Sequence, residues 1–150
     1  MRIVPTTAVS VLLAATLAAC GGVDKNAYVE SVTKVQQKTQ NEANKLSAEM
    51  EKAKSAKDIG AKLEELGTQV GANAKELDAI EAPSEVTKEH ADYVALMARF
   101  SDELEKLGGK FEKAKNSELA GILSETTKLT SDLATDENKI VTSINTKLHE

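Results

Sequence analysis

VTKEHADYVALMARFSDELEKLGGKFEKA, residues 86–114, places Val86, His90, Tyr93, Met97, Phe100, Leu104, Leu107, Phe111 and Ala114 at strictly alternating steps of four and three. Those steps follow the 3.6-residue period of an α-helix, so the nine side chains share one stripe. The positions between them carry Lys, Glu, Asp and Arg, which suit a solvated face. Gly108-Gly109 interrupts the run, yet Leu107 and Phe111 keep phase across it. That predicts a weak point or mild kink, not a chain reversal.

Moving outward from this run, the same pattern recurs three times. Ala82-Pro83-Ser84 breaks the chain upstream, because proline turns its predecessor away from the helical region. Before that break, Ile59, Leu63, Leu66, Val70, Ala74, Leu77 and Ile80 form a second stripe, preceded by a capping-box-like Ser55-x-x-Asp58. Earlier still come Tyr28, Val32, Val35, Thr39, Ala43, Leu46, Met50 and Ala53, with Asp24 as the expected N-cap. Downstream, Asn116-Ser117 offers a turn and cap. Leu119, Ile122, Thr126, Leu129, Leu133, Glu137, Ile140, Ile144 and Leu148 follow, less regular and rich in Thr. No run alternates with period two, and no hairpin signal occurs. Helices are expected at about 24–54, 58–80, 84–115 and 117–148. The fold class is all-α: an antiparallel up-down-up-down four-helix bundle over 24–150. A long two-helix coiled coil that dimerises is the alternative.

Composition bounds the chemistry. The 150 residues are 41% hydrophobic, 29% charged and 3% aromatic, one domain's worth. A single Cys excludes an intramolecular disulfide and any Cys-based zinc or iron–sulfur site. The formal charge of −5 argues against a general nucleic-acid role.

Residues 1–19 read differently from the rest. They hold one base, Arg2, and no acid, and from Thr6 to Ala19 every residue is apolar or small. A charged start, a short apolar stretch and a small-residue end describe a secretory signal peptide. The apolar stretch is too short to span a bilayer, which takes about 20 residues. It ends in Leu17-Ala18-Ala19-Cys20, which resembles the lipobox of bacterial lipoproteins at all four positions. The resemblance implies diacylglyceryl transfer to the Cys20 sulfur and cleavage before Cys20, leaving residues 20–23 as the lipidated Cys and a short tether. Two or more acyl chains hold a protein in a bilayer where one binds marginally. It also implies a place on the extracytoplasmic side of the cell membrane or outer membrane. The helical part, through Ala82-Pro83-Ser84-Glu85-Val86, loosely resembles small helical envelope lipoproteins of uncharacterised function; that likeness carries no site residues. Cleavage would remove Arg2 and leave 18 bases against 24 acids, all Lys but Arg99. Guanidinium clusters that grip phosphate are therefore not expected.

Few residues suggest chemistry. Tyr28, Tyr93, Phe100 and Phe111 all fall on apolar stripes, so no solvent-facing stacking platform is expected. His90 is a weak candidate metal ligand. It lacks the Glu-x-x-His spacing of di-iron bundles, since Thr87 stands three before it, and a boundary histidine bonded to a neighbour, with a pH-sensitive charge, explains it better. Glu64-Glu65 and Glu103-x-Glu105 lie beside Lys on polar faces and read as solvated ion pairs. No Gly-x-Ser-x-Gly elbow and no phosphate loop occur, so neither an enzyme nor a cofactor is expected. Gly67-x-x-x-Gly71, with Gly60 seven residues earlier, reads mainly as a glycine-weakened segment, and otherwise as a place where another helix comes close.

The expected role is an interaction or structural one in the envelope, with an unnamed envelope protein as partner. A carrier of a small ligand or metal within the bundle is the alternative. The second helix, at roughly 22 residues against roughly 30 for the others, falls short by about 12 Å. If the Pro83 turn sits level with its top, the third and fourth helices overhang the Ser55 turn. Phe111, Leu119, Ile122 and Leu123 would then form an exposed apolar partner surface.

Overall fold

A computed structural model describes residues 22–150; the predicted signal peptide and Cys20 lie outside the described residues. Four helices make up the fold: α1 (Lys25–Met50), α2 (Ala56–Asp78), α3 (Thr87–Lys113) and α4 (Leu119–His149), with one 3-10 turn over Ser84–Val86 before α3. Among the described residues there is no strand, and the fold is an all-α four-helix bundle.

Local chemistry sets the boundaries. The Asp24 carboxylate accepts from the Asn26 and Ala27 amides and starts α1. Ser55 Oγ accepts from the Asp58 amide at 3.1 Å, while Asp58 Oδ2 reaches back to the Lys54 amide at 3.1 Å. This reciprocal cap starts α2 at Ala56. α1 stops at Met50, short of the expected 54, so Ala53 belongs to the turn. Ser117 does not cap α4. Glu118 holds that position and takes the Lys115 amide on its own Oε2 at 2.8 Å. α3 runs unbroken through Gly108-Gly109.

The α2–α3 hairpin is the spine of the molecule. A Cβ built on Gly60 would stand 2.6 Å from the Gly108 carbonyl oxygen, and one on Gly108 would stand 2.7 Å from the Gly60 carbonyl oxygen. One heptad along, a Cβ on Gly67 would meet the Ser101 carbonyl at 3.0 Å, and Ser101 Oγ donates to the Gly67 carbonyl at 2.7 Å. Numbers rise along α2 as they fall along α3, so the two helices run antiparallel at backbone-to-backbone contact. Glu64 and Glu105 lay their Cγ atoms over Gly108 and Gly67, so part of each acidic side chain packs instead of standing in water. The glycines expected to weaken α2 are what bring α3 this close.

α1 and α4 flank this spine. α1 meets α2 through Lys38–Glu76, through Lys62–Glu49 at 2.7 Å, and through Asn73. Asn73 is wholly buried and donates to Thr39 Oγ1 at 2.9 Å and Glu42 Oε2 at 2.6 Å. α4 meets α3 through Arg99–Asp136 at 3.0 Å, Lys110–Glu125 at 2.5 Å and Lys147–Glu89 at 2.8 Å. In both pairs the numbering again runs in opposite senses. Tyr28, Val32, Val70, Leu77, Val86, Tyr93, Leu104, Phe111, Ile144 and Leu148 belong to one apolar core drawn from all four helices. Burial is uneven along the flanking helices. Between Ile122 and Val141 no residue of α4 is buried, and between Val35 and Leu46 none of α1 is.

The expected overhang is absent, and the reason is axial register. Gly60 lies against Gly108, and Lys57 pairs with Glu112 at 3.6 Å. The first turn of α2 therefore lies beside the last turn of α3, and the extra length of α3 falls at the Pro83 end. Phe111 is 2% exposed, with its Cβ 3.3 Å from where a Gly60 Cβ would stand, and Ile122 is 9% exposed. Leu119 is half-buried against the core and only Leu123, at 36%, is exposed. The four residues do not form an exposed apolar patch.

Candidate functional site

Polar side chains from α1, α3 and α4 meet near the Pro83 end. Periodicity puts Tyr28 on the buried face of α1 and His90 and Tyr93 on the buried face of α3. Tyr28 Oη lies 3.2 Å from His90 Nδ1, and the two rings meet edge-on with centroids 5.6 Å apart. Tyr93 Oη accepts from Gln36 Nε2 at 3.1 Å and donates to Glu137 Oε1 at 2.9 Å, joining α1, α3 and α4. Beside them, Glu89 pairs with Lys147 and takes the Ser143 hydroxyl at 3.4 Å. Lys25 adds an ion pair to Glu85 at 3.1 Å and a bond to the Leu148 carbonyl at 3.3 Å, tying the start of α1 to the end of α4.

The electrostatics follow from burial and pairing. Burial pushes the Tyr28 phenol up to about 12, with the Glu89 charge adding to the shift. Burial also raises Tyr93, reinforced by Glu137, so both phenols stay protonated at neutral pH. Lys147 holds the Glu89 carboxylate below its ordinary value. His90 is only 7% exposed, and burial lowers its pKa against the opposing pull of the Leu77 carbonyl and Asp78. The imidazole is therefore neutral at pH 7.

His90 thus has a hydrogen-bonding neighbour, and among the described residues no three His, Cys, Asp or Glu side chains gather closely enough to hold a metal ion. Cys20 lies outside the described residues. The carboxylate clusters divide: Glu65 and Glu103 pair with Lys62 and Lys106, each at 2.8 Å, while Glu64 and Glu105 cover glycines. Phe100 is half-buried rather than enclosed. With Leu129 and Leu133 it floors a groove of about 320 Å³ between α3 and α4, rimmed by Arg99, Asp132, Asp136 and Lys139.

Sequence reasoning missed the links between these residues. Glu137 was the available signal. It is an acid on the apolar stripe of α4, and an acid there needs a buried donor, which Tyr93 supplies.

No protein-family model matches the chain, and neither a curated protein nor a solved structure gives a significant match.

Proposed function

We propose that this chain is a lipoprotein held on the extracytoplasmic side of a bacterial membrane through acylated Cys20, its four-helix bundle serving an interaction or structural role in the envelope rather than catalysis. The observation that carries this reading is Leu17-Ala18-Ala19-Cys20 closing a 14-residue stretch free of charge. The geometry of the described part is compatible with it. Asp24 caps α1 four residues after Cys20, so the bundle begins almost at the anchor. No helix among the described residues is long and apolar enough to cross a membrane, so in this reading the acyl chains carry the attachment. The Lys25 links to Glu85 and to the Leu148 carbonyl hold the anchor end of the bundle together.

A second reading, a carrier of a small apolar ligand, rests on the α3–α4 groove. Its volume is at the low end of the roughly 300–1,000 Å³ of ligand pockets, and Phe100, Leu129 and Leu133 give it an apolar floor. Co-purification of an apolar molecule that is lost in Leu133→Asp would favour it.

The anchor reading is tested by fractionating cells that express Cys20→Ala. The expected result is release from the membrane fraction or an uncleaved precursor, with loss of metabolic labelling by palmitate. A variant that is processed and retained like the parent would overturn the proposal.

A further inference from the structure

We propose that His90 is an acid-sensitive latch that holds the first turns of α1 against the rest of the bundle. The geometry comes first. His90 lies in the opening turns of α3, and its ring packs edge-on against Tyr28 in the first turn of α1, with Nδ1 3.2 Å from the hydroxyl. Nδ1 faces the Tyr28 hydroxyl, and Nε2 is buried with no hydrogen-bond partner among the described residues, so the neutral ring asks for an answer at Nδ1 alone. Protonation puts an N–H on both nitrogens. The Tyr28 hydroxyl must then accept from Nδ1, the Nε2 proton is buried without an acceptor, and a charge arises in a site that is 7% exposed.

The groups that face this ring come from three helices. α1 supplies Tyr28, and the end of α2 supplies the Leu77 carbonyl and Asp78. On α3 itself stands Glu89, whose charge is engaged by Lys147 of α4. The Leu77 carbonyl and Asp78 favour the imidazolium, but burial outweighs them, so the folded state resists the proton more than the unfolded chain does. The sign follows. The contact is at full strength above the unfolded histidine value of about 6.5 and weakens as pH falls from there through the lower folded value.

Position decides which part of the molecule responds. Over its first half α1 buries Tyr28, Val29, Val32 and Val35, and beyond Val35 it buries nothing until Leu46. α2 and α3 instead meet along the glycine seam and contain the larger share of the core. Loss of the Tyr28–His90 contact therefore loosens α1 before it loosens the hairpin. If the lipoprotein reading holds, α1 also leads to Cys20, and release of its first turns lengthens the tether; the latch itself rests on the fold alone.

The test is amide hydrogen exchange on the full chain in detergent at pH 7.5 and pH 5.0, corrected for intrinsic exchange, in the parent and in His90→Gln. Protection over residues 28–36 should fall at pH 5.0, by up to about tenfold for each unit by which the folded His90 pKa lies below the unfolded one. Protection over 63–70 and 104–111 should hold, and His90→Gln should lose the α1 response. Three results would overturn the latch: unchanged α1 protection, an equal loss in α1 and in the α2–α3 hairpin, or the same pH response in His90→Gln. Should His90→Gln fail to fold, the comparison of α1 with α2–α3 in the parent decides alone.

Discussion

Gly60 and Gly108 face each other so closely that each carbonyl oxygen occupies the place where a side chain on the other would begin. This reciprocal contact sets the axial position of α2 against α3, and through it the ends of the whole bundle. It also makes neighbouring glycines respond to the same substitution with opposite signs. Gly108→Ala gains up to about 1 kcal/mol of helix propensity but forces a Cβ to 2.5 Å from Glu64 Cγ and 2.7 Å from the Gly60 carbonyl. Glu64 can move; the Gly60 backbone cannot without parting the helices, and such overpacking typically costs about 1–3 kcal/mol. At Gly109 the nearest group is the Glu64 carboxylate, 3.9 Å away, and at Gly121 there is nothing within 4 Å. Thermal melting should show Gly108→Ala and Gly60→Ala destabilised, and Gly109→Ala and Gly121→Ala stabilised by about 0.5–1 kcal/mol. Stabilisation of Gly108→Ala would mean that the helices are not this close.

Phe111 and Leu123, expected together on one apolar patch, divide into a core position and a surface one. Phe111 is 2% exposed in the seam, so Phe111→Ala should cost about 3–5 kcal/mol in urea unfolding. Leu123→Ser should stay within about 0.5 kcal/mol of the parent. Equal costs would place both residues in the core; no cost at either would restore the overhang.

Glu89 should shape the acid limb of stability. Its folded pKa is depressed, chiefly by the bond to Lys147, so its contribution is present above the unfolded carboxylate value near 4.3 and is lost as pH falls below it. Melting temperatures of the parent and Glu89→Gln should therefore differ at pH 6 and converge towards pH 3. A gap that persists at pH 3 would assign the effect to packing.

The stripes, and so the four helices, were legible because a 3.6-residue period is a local property of the chain. So were the Asp24 cap and the Ser55–Asp58 pair, where a side chain answers an amide two to four residues away. Axial register was not legible in the same way. A stripe tells which face of a helix is buried, but not how far one helix slides along another. Here small residues decide the slide. Gly60 and Gly67 on α2, and Ser101 and Gly108 on α3, are each seven residues apart, and matching the two pairs in opposite order would have put Gly60 beside Gly108. Setting the Pro83 turn level with the top of α2 placed the spare length of α3 at the wrong end, and the glycines, read as weaknesses, gave no register to correct it. The polar layer stayed hidden for a related reason. Tyr28, Gln36, Tyr93 and Glu137 are distant in sequence, and only the register brings their polar atoms within 3.1 Å of a partner or little more.

The central claim is the lipid on Cys20, and intact mass spectrometry of the membrane-extracted protein, followed by its N-terminal peptide, tests it most directly. The account predicts a chain that begins at Cys20, with a diacylglyceryl group on its sulfur. A chain that retains Met1–Ala19, or one that begins elsewhere with a free Cys20 thiol, would contradict it.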